Sequence, residues 1–149
     1  MTPEASDSSI DVTVIVPVHN GGPDLQRCVD AIQVAAGDVS EVILVDDASS
    51  DGAVERTCES RPWIRTIRTG DTPVGPGIAR NRAAASARGT WLVFIDADVL
   101  VRPDGITRLL EPLRRSGPDD SVAATIGSYD DRPEAPGVAA TYANLRHHL

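Results

Sequence analysis

The sequence predicts an α/β fold in which a mostly parallel sheet is covered by helices on both faces. Three observations lead there. Short apolar runs alternate with segments of helical periodicity along the whole chain, and no repeat of solenoid period interrupts them. The strongest runs, residues 12–16, 41–45 and 91–95, are nearly continuous rather than alternating, which is the pattern of strands buried on both faces. Each run is followed at once by a polar cluster: Pro17-Val18-His19-Asn20, Asp46-Asp47-Ala48-Ser49 and Asp96-Ala97-Asp98. In parallel sheets ligands bind outside the carboxyl ends of the strands, so these clusters can meet on a single rim.

Each element has its own signal. Residues 1–11 carry only scattered apolar residues and read as a disordered tail. The strand at 12–16 ends at Pro17. A helix follows over 23–36: Pro23 suits its first turn, and Leu25, Cys28, Val29, Ile32 and Ala36 share one face. After the second strand, at 41–45, Ser49 or Ser50 is placed to cap a helix over 51–59. Residues 64–67, with Trp63 as an optional start, form a weaker third strand. A Gly/Pro-rich loop over 70–77 feeds an Ala-rich helix running through Arg88, and 91–95 is a strong buried strand leading into Asp96. Pro103 opens a helix that turns Ile106, Leu109, Leu110 and Leu113 inward. Residues 122–126 suit a further strand, and 139–148 a final helix. The parallel strands would be joined by right-handed crossovers.

Composition bounds the function. A chain of 149 residues, 41% hydrophobic and 24% charged, builds one compact domain with one core. With aromatics at 3%, that core is aliphatic. The net charge of −8 leaves no basic stripe to neutralise phosphates, which argues against nucleic acid as a partner. All 14 basic residues are Arg, so a bound phosphate would be met by Arg, backbone N–H groups or a metal. Cys28 and Cys58 show no metal-ligand spacing and read as buried free thiols. The first residues lack a secretory pattern, and no apolar stretch approaches the ~18 residues of a membrane span. The expected location is cytoplasmic.

The clusters carry the chemistry. Two carboxylates leaving a buried strand at Asp96 and Asp98 are costly unless paired, hydrated or bound to a metal. Hard cations such as Mg2+ and Mn2+ combine one or two carboxylates with substrate phosphates, whereas a hydrated strand-end turn explains the same residues without a ligand. Asp46-Asp47 admits two readings as well: acceptance of a nucleobase N–H, or helix capping together with Ser49, Ser50 and Asp51. Gly75 and Gly77 fit the start of a dinucleotide fingerprint, but Arg80 stands where its third glycine belongs. The loop better serves to present Arg80 at a helix start, where it can meet a diphosphate. Arg82 and Arg88 read as an exposed face. His19 alone is more often structural than catalytic, and adjacent His147 and His148 make a poor metal pair. No P-loop, zincin, zinc-ribbon or nucleophile-elbow pattern occurs.

Taken in order, Val14-Ile15-Val16-Pro17-Val18-His19-Asn20, Val45-Asp46-Asp47-Ala48-Ser49-Ser50-Asp51-Gly52, Ala79-Arg80-Asn81 and Phe94-Ile95-Asp96-Ala97-Asp98 resemble the family 2 glycosyltransferases. The likeness covers about residues 12–115 and implies the Rossmann-like GT-A fold, incomplete on its acceptor side. It implies a base and ribose pocket at Pro17, Val18, His19 and Asn20, with His19 where the family often has Tyr. Asp47 would bond the nucleobase, and Arg80 would lie near the nucleotide. Asp96 and Ala97 would approach the ribose, with Asp96 also reaching the metal's water shell. Asp98 would ligate Mn2+ or Mg2+ on the diphosphate of a nucleotide-sugar donor, most simply a UDP-sugar.

Transfer with inversion needs a general base for the acceptor hydroxyl. In the family that carboxylate lies in the acceptor-side half. Residues 12–127 would form the donor-binding domain, and 128–149 a loop and the start of the acceptor-side segment. Asp130, Asp131 and Glu134 precede that segment, and none is assigned as the base. The expectation is therefore a donor-binding half that lacks its catalytic base, whose missing half leaves room for self-association or a partner chain, which could hold it at the inner face of the membrane. A noncatalytic nucleotide-binding or assembly module on the same fold is the alternative.

Overall fold

The computed structural model describes residues 11–37, 39–115 and 122–127. The expected tail before Asp11, the expected loop from 128 and the expected final helix over 139–148, with His147 and His148, lie outside the described residues. The chain divides into two compact units, Met1–Thr107 and Arg108–Leu149.

The elements run β1 (Val12–Val18), α1 (Gly22–Ala35), β2 (Val39–Asp46), α2 (Ala53–Cys58), β3 (Ile64–Arg68), α3 (Pro76–Ala84), β4 (Trp91–Phe94) and α4 (Gly105–Arg115). The four strands form one sheet in the order β3-β2-β1-β4. Every pairing is parallel: Val14 lies opposite Val42 on one side and Val93 on the other. The apolar runs explain the positions, because β1 is buried along its full length and takes the centre. From β1 the chain steps outward through β2 to β3, then returns to place β4 on the other side of β1. The order therefore reverses between β1 and β4, and that junction is where a sheet of this kind opens a ligand crevice.

Right-handed crossovers in opposite directions place α3 on the opposite face from α1 and α2. On one face Ala79 and Ala83 of α3 pack against Ile15, Ile43 and Val45, with Ile67 and Leu92 at the margin. The small side chains let α3 lie close to the strands. Val14, Val16 and Leu44 alternate to the other face and are equally buried. There α1 buries Leu25, Cys28, Val29, Ile32 and Ala35 and packs against α2. Full burial of each large aliphatic side chain stabilises the fold by about 1.5–3 kcal/mol.

A polar cluster pins the amino ends of the strands. Thr13 Oγ1 donates to Glu41 Oε2 at 2.9 Å, and the Arg88 N–H donates to the same oxygen at 3.0 Å. The Gly89 N–H donates to Thr13 Oγ1 at 2.9 Å. A Cβ on Gly89 would lie 2.5 Å from the Thr13 backbone nitrogen, so only glycine lets the chain enter β4 here.

Five expectations need adjustment. The helix over 76–84 stops short of Arg88, because the Ser86 hydroxyl and N–H both turn back to the Ala83 carbonyl. α2 begins at Ala53, and its first N–H is met by Asp51 Oδ1 at 3.0 Å rather than by Ser49 or Ser50. β4 is an edge strand among the described residues, not one buried on both faces: it pairs with β1 alone there, and Phe94 is 48% exposed. Its neighbour Ile95 keeps one sheet bond, to the Ile15 carbonyl at 3.1 Å. Trp63 lies outside β3. Residues 122–127 form no strand: within the second unit Thr125 Oγ1 donates to the Leu109 carbonyl at 2.8 Å, and no strand pairs with them among the described residues.

Candidate functional site

The rim begins where β1 and β2 end. Pro17 and Val18 are buried within β1, so of the first cluster only His19 and Asn20 are exposed. Asn20 adopts a left-handed backbone (φ 52°), which turns the chain toward the β2 loop. Its N–H donates to Ser49 Oγ at 3.0 Å, and its Oδ1 accepts the Ser50 N–H at 2.9 Å. Asp51 Oδ2 accepts the Gly22 N–H at 2.9 Å, so one carboxylate ties the start of α1 to the start of α2. These two bonds hold the Asp51 carboxyl below its ordinary pKa. His19 Nδ1 lies 2.7 Å from the Asp47 carbonyl, and Nε2 lies 3.2 Å from Asn20 Nδ2. A carbonyl can only accept, so Nδ1 carries the proton and Nε2 accepts from Asn20.

The adjacent carboxylates of β2 are 4% exposed, and each of their oxygens accepts a bond from the protein. Asp46 pairs with Arg68 and accepts the Ser49 N–H at 2.8 Å. Asp47 Oδ1 accepts Thr69 Oγ1 at 2.6 Å and the Val74 N–H at 2.9 Å, while Oδ2 accepts the Gly75 N–H at 2.8 Å. Burial alone would raise the Asp47 pKa, but these three donors outweigh it and hold the carboxyl low. Asp47 thus holds the loop that leads into α3. Gly75, at φ 90°, makes the turn into that helix.

The carboxyl end of β4 is built differently. The Asp96 side chain is 57% exposed, and Asp98 is exposed as well. The Val99 N–H closes a turn onto the Asp96 carbonyl at 3.0 Å. Beneath it, buried Cys28 of α1 directs its S–H to the same carbonyl at 3.5 Å. Burial, and then the negative charges of Asp98 and Asp96, push the Cys28 thiol up to about 12. From α3, the half-buried Arg80 pairs with Asp96 Oδ1. No hydrogen bond or ion pair holds the Asp98 carboxylate among the described residues.

The structure therefore gathers His19, Asn20 and Asp47 at one side of the β1 end, and Arg80, Asp96 and Asp98 at the other. Arg82 and Arg88 are exposed; the first donates to the Thr69 carbonyl and the second meets Glu41. Sequence reasoning missed Asp51 as a tie, Thr69 as an Asp47 partner, and Cys28 as the support under Asp96. The capping half of the Asp51 tie has a local signal, but its bond to Gly22, the Thr69–Asp47 bond and the Cys28–Asp96 bond join segments distant in the chain. A hollow of about 240 Å³ lies between α2 and β3, lined by Val54, Cys58, Thr66 and Arg68 among others. Its lining includes Asp46 but not His19, Asn20, Asp47, Arg80, Asp96 or Asp98, so chemistry rather than concavity marks the rim.

The acidic turn fits a shared cation. Among the described residues no cluster of three or more His, Cys, Asp or Glu side chains forms a closed metal cage. Two exposed carboxylates are instead the donor set that Mg2+ or Mn2+ uses when phosphate oxygens complete its shell. No helix among the described residues is long and apolar enough to cross a membrane.

Comparison with known proteins is consistent with this geometry. The family model described as glycosyl transferase family 2 matches residues 13–146. The succinoglycan biosynthesis protein ExoO of Rhizobium meliloti is 34% identical over 123 residues, which cover 82% of this chain and 35% of that protein. Glycosyltransferase GlyG of Streptococcus pneumoniae is 28% identical over 85% of this chain and 41% of its own length. This chain thus spans about a third of the curated relatives it matches. Glucosyl-3-phosphoglycerate synthase of Mycobacterium tuberculosis, solved with Mn2+, UDP and phosphoglyceric acid, superimposes with a TM-score of 0.60 at 28% identity, over 71% of this chain and 39% of that one. The mannosyltransferase PcManGT of Pyrobaculum calidifontis, solved with GDP-Man and Mn2+, gives 0.56 at 32% identity, over 66% and 32%. With its parallel sheet, its ordered strand-end clusters and a family match across most of its length, the chain belongs to glycosyl transferase family 2 and has the GT-A fold.

Proposed function

We propose that this chain binds a nucleoside-diphosphate sugar of the UDP class, with Mn2+ or Mg2+, at the carboxyl ends of β1 and β4, and so supplies the donor side of an inverting sugar transfer. One observation carries the reading. Of the two acidic turns on the rim, the one at the β1/β4 reversal keeps its carboxylates exposed and faces a guanidinium. The roles we assign draw on each residue's position on the rim. His19 and Asn20, held in one orientation by the β2 loop, border the base and ribose, with the buried Pro17 and Val18 backing them. Asp47 accepts a base N–H; its Oδ2 takes one donor from the protein and has a second acceptor position. Asp96 and Ala97 lie by the ribose, Asp98 and Asp96 hold the cation, and Arg80 meets the diphosphate.

Asp96 and Asp98 would hold the cation, which would supply positive charge to neutralise the leaving nucleoside diphosphate. The chain's own part is to fix the donor and to exclude free rotation about the diphosphate. Transfer also requires a base for the acceptor hydroxyl, and we assign none to this chain. The purified 149-residue chain is accordingly expected to bind donor but to transfer sugar poorly or not at all. Calorimetry with UDP tests the first part: binding with Mn2+ and none in EDTA is expected, and equal binding in both refutes it. Robust sugar transfer by the purified chain would refute the second part.

A further inference from the structure

We propose that Arg80 is a built-in counter-ion for Asp96, which the divalent cation must displace and which is then handed to the diphosphate. The inference rests on the donor and metal reading above and adds an order to it. Arg80 Nη2 is paired with Asp96 Oδ1, an oxygen that the reading also offers to the cation. A guanidinium and a divalent cation on one carboxylate oxygen repel each other, so one gives way. Asp98 has no such partner among the described residues, which makes the two carboxylates of the turn unequal.

The exchange needs only a side-chain movement. Neighbouring Ala79 is fully buried against the strands, so α3 stays in place while the half-exposed Arg80 side chain swings. Its planar fork carries five donors and suits a diphosphate as well as a carboxylate. The cation then meets a competitor when it arrives alone and loses that competitor when the diphosphate arrives too. Metal and nucleotide consequently favour each other's binding, and linkage makes the coupling reciprocal.

The test compares wild type, Arg80→Ala and Arg82→Ala. Arg82 lies on the same helix and loses the same charge, but it donates to the Thr69 carbonyl rather than to a carboxylate. Mn2+ binding alone is read by electron paramagnetic resonance, and UDP binding at saturating Mn2+ by calorimetry, with circular dichroism confirming the fold. In Arg80→Ala, Mn2+ alone should bind about two- to fivefold tighter, as expected for release of an exposed ion pair. UDP with Mn2+ should bind roughly tenfold or more weaker, from loss of charge-assisted bonds. Arg82→Ala should leave both within about twofold.

Unchanged or weaker Mn2+ binding in Arg80→Ala overturns the proposal, as does equal tightening in Arg82→Ala, which would reduce the effect to bulk charge. If wild type binds Mn2+ and UDP together but Arg80→Ala matches it, the donor reading stands and the counter-ion role falls. If wild type binds neither, both fall.

Discussion

At the end of β2, Asp46 and Asp47 are 4% exposed and every carboxylate oxygen accepts a bond from the protein; at the end of β4, the Asp96 side chain is 57% exposed and Asp98 has no partner among the described residues. Both are acidic turns at the carboxyl ends of neighbouring parallel strands. The difference lies in what the rest of the chain sends to meet them. β2 is an interior strand, and the loop after β3 folds over its end with three donors for Asp47. Among the described residues β4 is the sheet's edge, and Arg80 is the side chain that pairs with the turn at its end. An acid that architecture has satisfied holds the rim together and keeps little more than a spare acceptor position on Asp47 Oδ2, whereas an acid left open can take a cation.

The largest effect expected from breaking this contrast is on stability. Asp47→Ala leaves three donors without their charged acceptor and should cost about 2–4 kcal/mol. Asp98→Ala should stay within about 0.5 kcal/mol, as exposed substitutions usually do. Urea denaturation measures both, and equal losses would erase the distinction between the two turns.

Acid should sharpen the comparison. Asp47 and Asp51 have folded pKa values below the ordinary carboxylate value of about 3.9. Their stabilisation is therefore complete above that ordinary value and is lost as the pH falls through their lower folded values. Denaturation followed from about pH 5 down to pH 2 should show a shallower loss in Asp51→Asn than in wild type. An identical slope would mean that the Asp51 tie between α1 and α2 is not formed in solution.

How much of this was legible beforehand follows from the same contrast. The continuous apolar runs specified the parallel strands, and the order of the strand-end clusters pointed to a shared rim. The fate of each carboxylate was not legible, because Thr69, Val74 and Gly75 lie 22–28 residues from Asp47, and Cys28 lies 68 residues from Asp96. The edge position of β4 was also hidden, since the run 91–95 is as apolar as that of a central strand. The helix boundaries at 51 and 88 were missed where Asp51 and Ser86 redirected backbone bonds, a choice that local propensity does not decide.

Two smaller effects probe the supports of each turn. Cys28 is buried under Asp96 and its thiol is pushed up to about 12, whereas Cys58 is half-buried. A thiol reagent on the native protein should modify Cys58 first and reach Cys28 only through unfolding. Prompt labelling of both would show that the support under the β4 turn is open. Ala48 sits at φ 56° between Asp47 and Ser49, a conformation that costs an L residue roughly 1–2 kcal/mol. After the entropic cost of glycine, Ala48→Gly should stabilise the β2 turn by about 0.5–1 kcal/mol in the same urea assay. A loss instead would mean that the alanine is not strained there.

The most direct test of the central claim is the melting temperature of wild type and Asp98→Ala, each measured with and without UDP and Mn2+. Ligand should raise the wild-type midpoint through binding to the folded state. Asp98→Ala should melt within about 2 °C of wild type without ligand, as a substitution worth less than 0.5 kcal/mol does, and should lose the ligand-induced rise. An undiminished rise in Asp98→Ala would contradict the assignment of the open β4 turn to the metal.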